Sequence, residues 1–178
     1  MIADHQTIGR GRLDHRWEAP AGTALLVSFV LAPHPLLSLA AGVAAAEACE
    51  NDVRLKWPND LMLRGRKVGG VLVEATPAKA ICGIGINLTW APAGAAQLNQ
   101  PRGALLRRMR PAVNKWCSAP PEEILARWRQ LSDTLGRRVL VELPGRSFEG
   151  IAEDIDSHGE LIVEGTVVSA GSVTHLSS

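Results

Sequence analysis

Two predicted strands that carry glycines in their interior constrain the fold of this chain more than any other feature. Residues 66–75 and residues 80–88 are apolar runs, and their internal glycines are Gly69, Gly70, Gly83 and Gly85. A glycine inside a strand marks a bulge or a place where a ligand or another backbone approaches closely. Because both runs have this property, we expect them to form a sheet with one face open to a ligand. The alternative is that the glycines serve only bulges in the strands, because a bulge needs the same absence of side chains without any ligand.

A positively charged, glycine-containing segment near residue 10 is the candidate ligand loop. Gly9 and Gly11 let the backbone adopt positive φ angles and approach a ligand, while Arg10 and Arg12 supply permanently charged guanidinium groups. The apolar run 24–31 that follows predicts a buried strand. We therefore expect the loop to bind a negatively charged group such as a phosphate or a carboxylate. Ordinary solvated charges are the alternative interpretation.

Composition excludes several classes of protein. The chain has 178 residues, 46% of them hydrophobic, so its core needs no support from disulfides, and the three cysteines are far apart and fit buried apolar positions. A net charge of +1 gives no global field that would attract nucleic acid or a membrane surface. No apolar stretch is long enough to cross a bilayer, and no signal-peptide pattern is present. We therefore expect a cytoplasmic protein.

The sequence pattern changes near Gly136. Before it, helical spacing predicts helices over residues 36–49 and 121–135 and in an arginine-rich stretch that Pro111 interrupts or restarts, and a strand over 53–57 ends at a turn. After it, five short strands alternate with glycine-containing turns, which is typical of a small barrel-like module. We expect an α+β protein with a first domain over residues 1–135 and a second over residues 136–178.

Four motifs that follow one another along the chain resemble the catalytic domain of biotin-protein ligases. They are Gln6-Thr-x-Gly-Arg-Gly-Arg12 with Trp17, Lys56-Trp-Pro-Asn-Asp60, Lys67-Val-Gly-Gly-Val-Leu-Val-Glu74 and Gly83-Ile-Gly-Ile-Asn87. The run from Gly150 to Leu161 is similar to the small C-terminal domain of the same family. The resemblance implies a mixed sheet covered by helices, of the class II synthetase-like type, followed by a small SH3-like β-barrel.

The resemblance also implies a reaction in two steps. Biotin and ATP, with Mg²⁺ as its partner ion, give biotinoyl-5′-AMP and pyrophosphate, and a lysine of a biotin carboxyl carrier domain of a carboxylase then attacks the mixed anhydride. The first step brings together two negative groups, so the site must supply positive charge and orientation. Lys56 and Arg10 are the implied catalytic residues, since Lys56 would bridge the biotin carboxyl and the α-phosphate and Arg10 would fold over the adenylate.

Further residues are implied as ligand-binding by the same motifs. Gln6 would hydrogen-bond the ligand, Arg12 would contact phosphate, and Trp17 would pack near the adenine or close the loop. The remaining positions would line the pocket through close backbone approach or a side-chain amide, and they are Gly9, Gly11, Gly69, Gly70 and Asn87. On pattern alone, Lys56 is the outward-facing residue of a strand. Asn59 and Asp60 form a turn after that strand, and a contact with the substrate is their second interpretation.

Neither nucleic acid nor a membrane is expected as a partner, and no metal site is expected in the chain itself. The sequence leaves open whether two chains form a homodimer along a sheet edge.

Two departures from the family pattern affect the expected function. Asp14 and His15 stand where the family has glycine and arginine, and we expect this to reduce affinity for phosphate and to stiffen the loop, unless the neighbouring Arg16 partly substitutes for the arginine. The family also has a segment with a Ser-Thr pair before the residue that corresponds to Gln6, so we expect an N-terminally truncated form without a helix-turn-helix domain or repressor activity. The alternative is a non-catalytic remnant that binds the carrier or the nucleotide but not biotin. A lipoate or octanoate transferase would fit the fold but not the motifs.

Overall fold

The computed structural model describes residues 1–13 and 15–176, so the interpretation of Asp14 lies outside the described residues. A first group of elements builds a helix-covered sheet and a second group builds a smaller sheet. In chain order the elements are β1 (Ile2–Ala3), β2 (Gly9–Arg10), β3 (Arg16–Trp17), β4 (Ala24–Leu31), α1 (Leu37–Cys49), β5 (Val53–Lys56), β6 (Asp60–Leu63), β7 (Arg66–Ala75), β8 (Ala80–Asn87), α2 (Arg102–Trp116), α3 (Pro121–Leu131), β9 (Arg138–Leu143), β10 (Arg146–Ile155), β11 (Leu161–Val163), β12 (Thr166–Val168) and β13 (Ser172–His175).

The first sheet has six strands in the order β1-β4-β8-β7-β6-β5. Its strand pairs are antiparallel, and an isolated parallel β-bridge joins Leu55 to Ser132 at the β5 edge. Alternation along the strands separates two faces. Pairs such as Val27 with Ile84 are buried on the face that α1 covers, whereas Gly83 and Gly85 lie on the opposite face.

The helices form a layer over one face of this sheet. Helix α1 is apolar around most of its circumference and buried along most of its length, because α2 and α3 pack against its outer side. The expectation that Pro111 interrupts α2 was wrong, since the helix is continuous from Arg102 to Trp116. Pro111 has no N–H, so the Arg107 carbonyl lacks its helical hydrogen-bond partner. Both residues are exposed, and water can therefore bind this carbonyl.

Helix α3 ends four residues before the expected position. It stops at Leu131 because the next residues turn away to bind β5, with Ser132 bridging Leu55 and the Asp133 amide donating to the Leu55 carbonyl at 2.7 Å. Strands β1 and β6 were not predicted from the sequence. Both are short, with two and four residues, and too little alternation is present in such segments to indicate a strand.

Strands β9 to β13 form a five-stranded antiparallel sheet in the order β12-β11-β10-β9-β13. A register shift between Ala152 and Asp154 marks an irregularity in β10, where the sheet passes from its β9 side to its β11 side. Val139, Val141 and Leu161 are fully buried inside it. The expected α+β fold with a C-terminal β-module is thus confirmed, whereas the division into domains at residues 135 and 136 stays a prediction. In the described part of the chain, every helix is too short or too polar to span a membrane.

Gly159 is the point at which the C-terminal sheet docks onto the first sheet and its helices. Its carbonyl accepts a hydrogen bond from the Trp57 indole Nε1 at 3.0 Å, and its φ angle is +78°. A Cβ at this position would lie 2.6 Å from the Leu39 Cδ1 atom, and Leu39 is itself buried. A side chain is therefore excluded both by the backbone conformation and by the packing.

We expect Gly159→Ala to lower the free energy of unfolding by roughly 1–3 kcal/mol more than Gly65→Ala, measured by urea denaturation. Gly65 is a matched control, because it has a similar φ angle of +72° but no atom within 4 Å of its Cβ position. Both variants carry backbone strain, and only Gly159→Ala adds overpacking. Equal destabilisation by the two substitutions would contradict the proposed docking contact.

Candidate active site

A cleft of about 600 Å³ lies on the face of the six-stranded sheet opposite α1. Three separate parts of the chain line it. The sheet supplies the floor, the loop between β1 and β4 supplies one wall, and residues 171–174 at the start of β13 supply part of another. The cleft is therefore completed only when the C-terminal sheet is docked.

Missing side chains open the floor of the cleft. Gly70 on β7 is paired with Gly85 on β8, and Gly83 lies two residues before Gly85 on the same face. A Cβ on Gly70 or Gly83 would meet no atom closer than 3.6 Å, so these two positions leave space above the sheet. Gly85 is different, because a Cβ there would lie 2.9 Å from the Trp17 indole ring. The ring of Trp17 therefore rests directly on the backbone at Gly85.

A short hairpin shapes the loop that carries the two arginines. Gly9 pairs with Trp17 and Arg10 pairs with Arg16, while the Gly11 amide donates to the His15 carbonyl at 2.7 Å. A Cβ on Gly9 would lie 2.2 Å from the Trp17 carbonyl oxygen, so glycine is needed there for the hairpin itself. In the described structure Gly9 does not line the cleft, whereas Gly11 does.

Asp60 is surrounded by three positive groups in the cleft. Its carboxylate Oδ1 lies 2.6 Å from the Lys67 Nζ, and it is paired with Lys56 across β5 and β6. Burial lowers the pKa of Arg12, and the Asp60 charge opposes this effect. Because one carboxylate faces three cations, this group of residues keeps an excess of positive charge that an anionic ligand can compensate.

Lys56 is the last residue of β5, and its ammonium group is half-buried in the cleft. Burial lowers the pKa of Lys56, Asp60 raises it, Lys67 lowers it and Asp133 raises it, so that the pKa stays below the ordinary value. A partly desolvated ammonium group interacts more strongly with a negative ligand than a fully hydrated one does. Lys56 is thus placed to bind an anion such as a carboxylate or phosphate.

Arg10 lies at the rim of the cleft. Its Nη2 atom donates to the Glu74 Oε2 at 2.8 Å, and both side chains are substantially exposed. Arg12 reaches deeper, where its Nη1 lies 3.5 Å from the Asn59 Oδ1. Asn59 is in turn fixed by donating from Nδ2 to the Val71 carbonyl at 2.8 Å. The loop is therefore attached to the sheet at two points, one exposed and one half-buried.

The cleft brings together most of the residues that the sequence indicated. Those that line it are Gln6, Arg10, Gly11, Arg12, Trp17, Lys56 and Gly70. Asn87 is not brought to the cleft, because the loop over residues 89–100 covers its end of the sheet, and its Nδ2 donates to the Ala96 carbonyl at 3.0 Å. Gly69 is also excluded, since alternation turns it toward the core, where its Cβ would lie 2.6 Å from the Gly85 carbonyl.

Sequence reasoning missed several residues of the cleft. Asp60 was interpreted as a turn residue first and as a substrate contact only second, and Lys67 and Glu74 were quoted only as the ends of a motif, although all three are charged groups of the cleft. Because all three residues stand within the quoted motifs, their positions could have indicated that they belong to the cleft. Residues 171–174 had no such signal, because their contact with the cleft arises from the docking of β13.

Comparisons with known proteins agree over nearly the whole chain. Residues 1–89 match the model of the biotin/lipoate A/B protein ligase family, and residues 134–175 match that of the biotin protein ligase C-terminal domain. The biotin-[acetyl-CoA-carboxylase] ligase of Mycobacterium tuberculosis is 35% identical, with 99% of this chain and 78% of that protein aligned. The bifunctional ligase/repressor BirA of Escherichia coli is 32% identical over 92% of this chain and only 60% of its own length.

A solved structure gives the same result. The biotin protein ligase of Aquifex aeolicus, in complex with biotin and ATP, superposes with a TM-score of 0.81 at 28% identity, covering 99% of this chain and 88% of that one.

We expect Glu74→Gln to increase the rate of tryptic cleavage in the loop after Arg10 or Arg12 by roughly 1.4- to 5-fold, because the exposed ion pair that holds the loop closed contributes about 0.2–1 kcal/mol. Glu149→Gln is a matched control, since the Arg138–Glu149 pair is 63% and 47% exposed against 66% and 46% for Arg10–Glu74. The melting temperature should change little in both variants. Equal cleavage rates in the two variants would show that Glu74 does not hold the loop.

Proposed function

This chain belongs to the biotin protein ligase family, and we propose that its cleft joins biotin to ATP and transfers the product to a protein. Biotin and MgATP give biotinoyl-5′-AMP and pyrophosphate, after which the ε-amino group of a lysine in a biotin carboxyl carrier domain displaces AMP. Mg²⁺ enters as the partner ion of the substrate ATP.

The observation that carries this proposal is the collection of positive groups above a floor that glycines keep open. Arg10, Arg12 and Lys56 come from separate segments and line one cleft. The first step forms a bond between a biotin carboxylate oxygen and the α-phosphorus, and pyrophosphate leaves. Both reactants are negatively charged, so fixed positive groups that hold them together lower the barrier without a covalent nucleophile.

The geometry suggests a distribution of tasks among these residues. Lys56, half-buried and close to Asp60, would bridge the biotin carboxylate and the α-phosphate as a compact point charge. Arg12 would contact phosphate, and Arg10 would cover the adenylate from the rim. Gln6 and the backbone at Gly11 and Gly70 would line the remaining surface, and Trp17, supported by Gly85, would pack against the adenine.

A non-catalytic remnant that cannot bind biotin is not favoured as the alternative. The Aquifex aeolicus relative whose structure contains biotin and ATP aligns with 99% of this chain. The absence of nucleic-acid binding and a cytoplasmic location stay predictions, and pairing of two chains along a sheet edge stays the open alternative to a monomer. Sedimentation velocity tests the homodimer, since a single species at the mass of one chain would exclude it.

Transfer of biotin to a carrier domain is the direct test. Purified protein is incubated with biotin, MgATP and a biotin carboxyl carrier domain, and the increase in carrier mass is measured by mass spectrometry. We expect a mass increase of one biotinoyl group that depends on ATP and is lost when the acceptor lysine of the carrier is replaced. An unmodified carrier, with an active relative working in parallel, would contradict the proposed function.

We expect Lys56→Ala to lower kcat for adenylate formation by roughly 10²- to 10³-fold, because it removes a positive group aimed at developing charge. Pyrophosphate release measures this step. The melting temperature should be unchanged or slightly higher, since burial lowers the pKa of Lys56 and its charged form is therefore disfavoured by folding. Lys79→Ala, at an exposed turn position, is the control. Parallel losses of activity and stability in Lys56→Ala would argue for a structural residue.

A further inference from the structure

The end of β5, which carries Lys56, is held from its outer side by residues outside the cleft. β5 is the edge strand of the six-stranded sheet, so among the described residues no further strand fixes its free side. The Asp133 amide donates to the Leu55 carbonyl at 2.7 Å, and the Trp57 amide donates to the Thr134 Oγ1 at 3.0 Å. The backbone groups immediately before and after Lys56 are thus both bound by the segment between α3 and β9.

Thr134 connects this segment to the C-terminal sheet. It is fully buried, and its Oγ1 lies 3.2 Å from the Nε2 of His175 at the end of β13. Because Oγ1 accepts the Trp57 amide hydrogen, its own hydrogen is free to be donated to a neutral His175 ring. The other ring nitrogen, Nδ1, lies 3.9 Å from the Asp133 Oδ2. A continuous polar chain therefore runs from β13 through Thr134 to the residue that follows Lys56.

We propose that Thr134 and His175 form a positioning pair, which sets the direction of the Lys56 side chain in the cleft through the backbone of β5. Neither residue of this pair lines the cleft, so each acts through Lys56 and not by touching a substrate. The pair gives the C-terminal sheet a second task besides completing the cleft wall. The inference rests on the proposed function, because it concerns the lysine that would activate biotin.

The charges around His175 agree with this arrangement. The groups that face it are Lys56 on β5, Asp133 after α3 and Arg137 before β9. Burial lowers the pKa of His175, Lys56 lowers it, Asp133 raises it and Arg137 lowers it, so that the pKa lies below the ordinary value of 6.5. The ring is therefore neutral at pH 7 and can accept from Thr134. Protonation at lower pH would reverse this hydrogen bond and add a further positive charge near Lys56.

Substitutions at Thr134 separate positioning from simple packing. Thr134→Val keeps the shape but removes the acceptor for the Trp57 amide, and we expect kcat for adenylate formation to fall roughly 10- to 100-fold, as for a misplaced catalytic group. The KM values for biotin and ATP should change little. Thr134→Ser retains the hydroxyl and should restore most of kcat. A kcat per folded molecule in Thr134→Val equal to that of the wild type would overturn the proposal, as would a Thr134→Ser variant no better than Thr134→Val.

Substitutions at His175 test its protonation without depending on the folding of Thr134→Val. Glutamine offers a side-chain oxygen as acceptor for the Thr134 hydroxyl but does not titrate. We expect kcat of the wild type to decrease as the pH falls through the lowered pKa of His175, and His175→Gln to flatten this acid limb while it retains most of the activity at pH 8. His175→Leu, whose side chain accepts no hydrogen bond, should have a lower kcat than His175→Gln at every pH. An acid limb that is the same in His175→Gln and in the wild type would overturn the proposal.

An NMR titration, which does not depend on enzymatic activity, tests this inference separately from the proposed function. The pKa of His175 is followed by NMR in the wild type and in Lys56→Met, with His175→Gln used to assign the signal among the five histidines. Because Lys56 lowers the pKa of His175, its removal should raise that pKa toward 6.5. An unchanged pKa would mean that the two side chains are not coupled and would overturn the inference. A coupled pair in a protein that transfers no biotin would instead overturn only the proposed function.

Discussion

Alternation along three antiparallel strands, β4, β8 and β7, is the constraint on which the rest of this structure depends. It places branched apolar side chains beneath α1 and puts Gly70, Gly83 and Gly85 on the other face. The same strands therefore build a densely packed core on one side and an open floor on the other. A shift of one residue in register would move the glycines into the core and the large side chains into the cleft.

The charges above this floor are arranged at some cost to stability. Burial lowers the pKa of both Arg12 and Lys56, which means that desolvation disfavours their charged forms in the folded protein. Asp60 offsets part of this cost for both residues, and its contact with Lys67 fixes its own carboxylate. An anionic ligand would offset the remainder, so the same feature that weakens the free protein favours binding of a phosphate and a carboxylate.

The C-terminal sheet is part of the site and not an independent appendage. Its turn at Gly159 binds Trp57, the start of β13 lines the cleft, and His175 reaches the buried Thr134. These contacts meet at β5, the edge strand that carries Lys56. Docking of the C-terminal sheet therefore fixes the strand end from which the ammonium group enters the cleft.

The sequence by itself determined the nature of the main elements and the family. Long runs with a clear period, such as Ala24–Leu31 and Leu37–Cys49, and motifs such as Lys56 to Asp60 are local properties, which neighbouring residues encode without knowledge of the fold. Only the tertiary structure decided which residues meet at the cleft. It turned Gly69 toward the core, covered Asn87 with the loop over residues 89–100, and brought Glu74 and residues 171–174 to the site. These outcomes depend on strand register and on docking between separate segments, and such relations are not written in any short stretch of the chain.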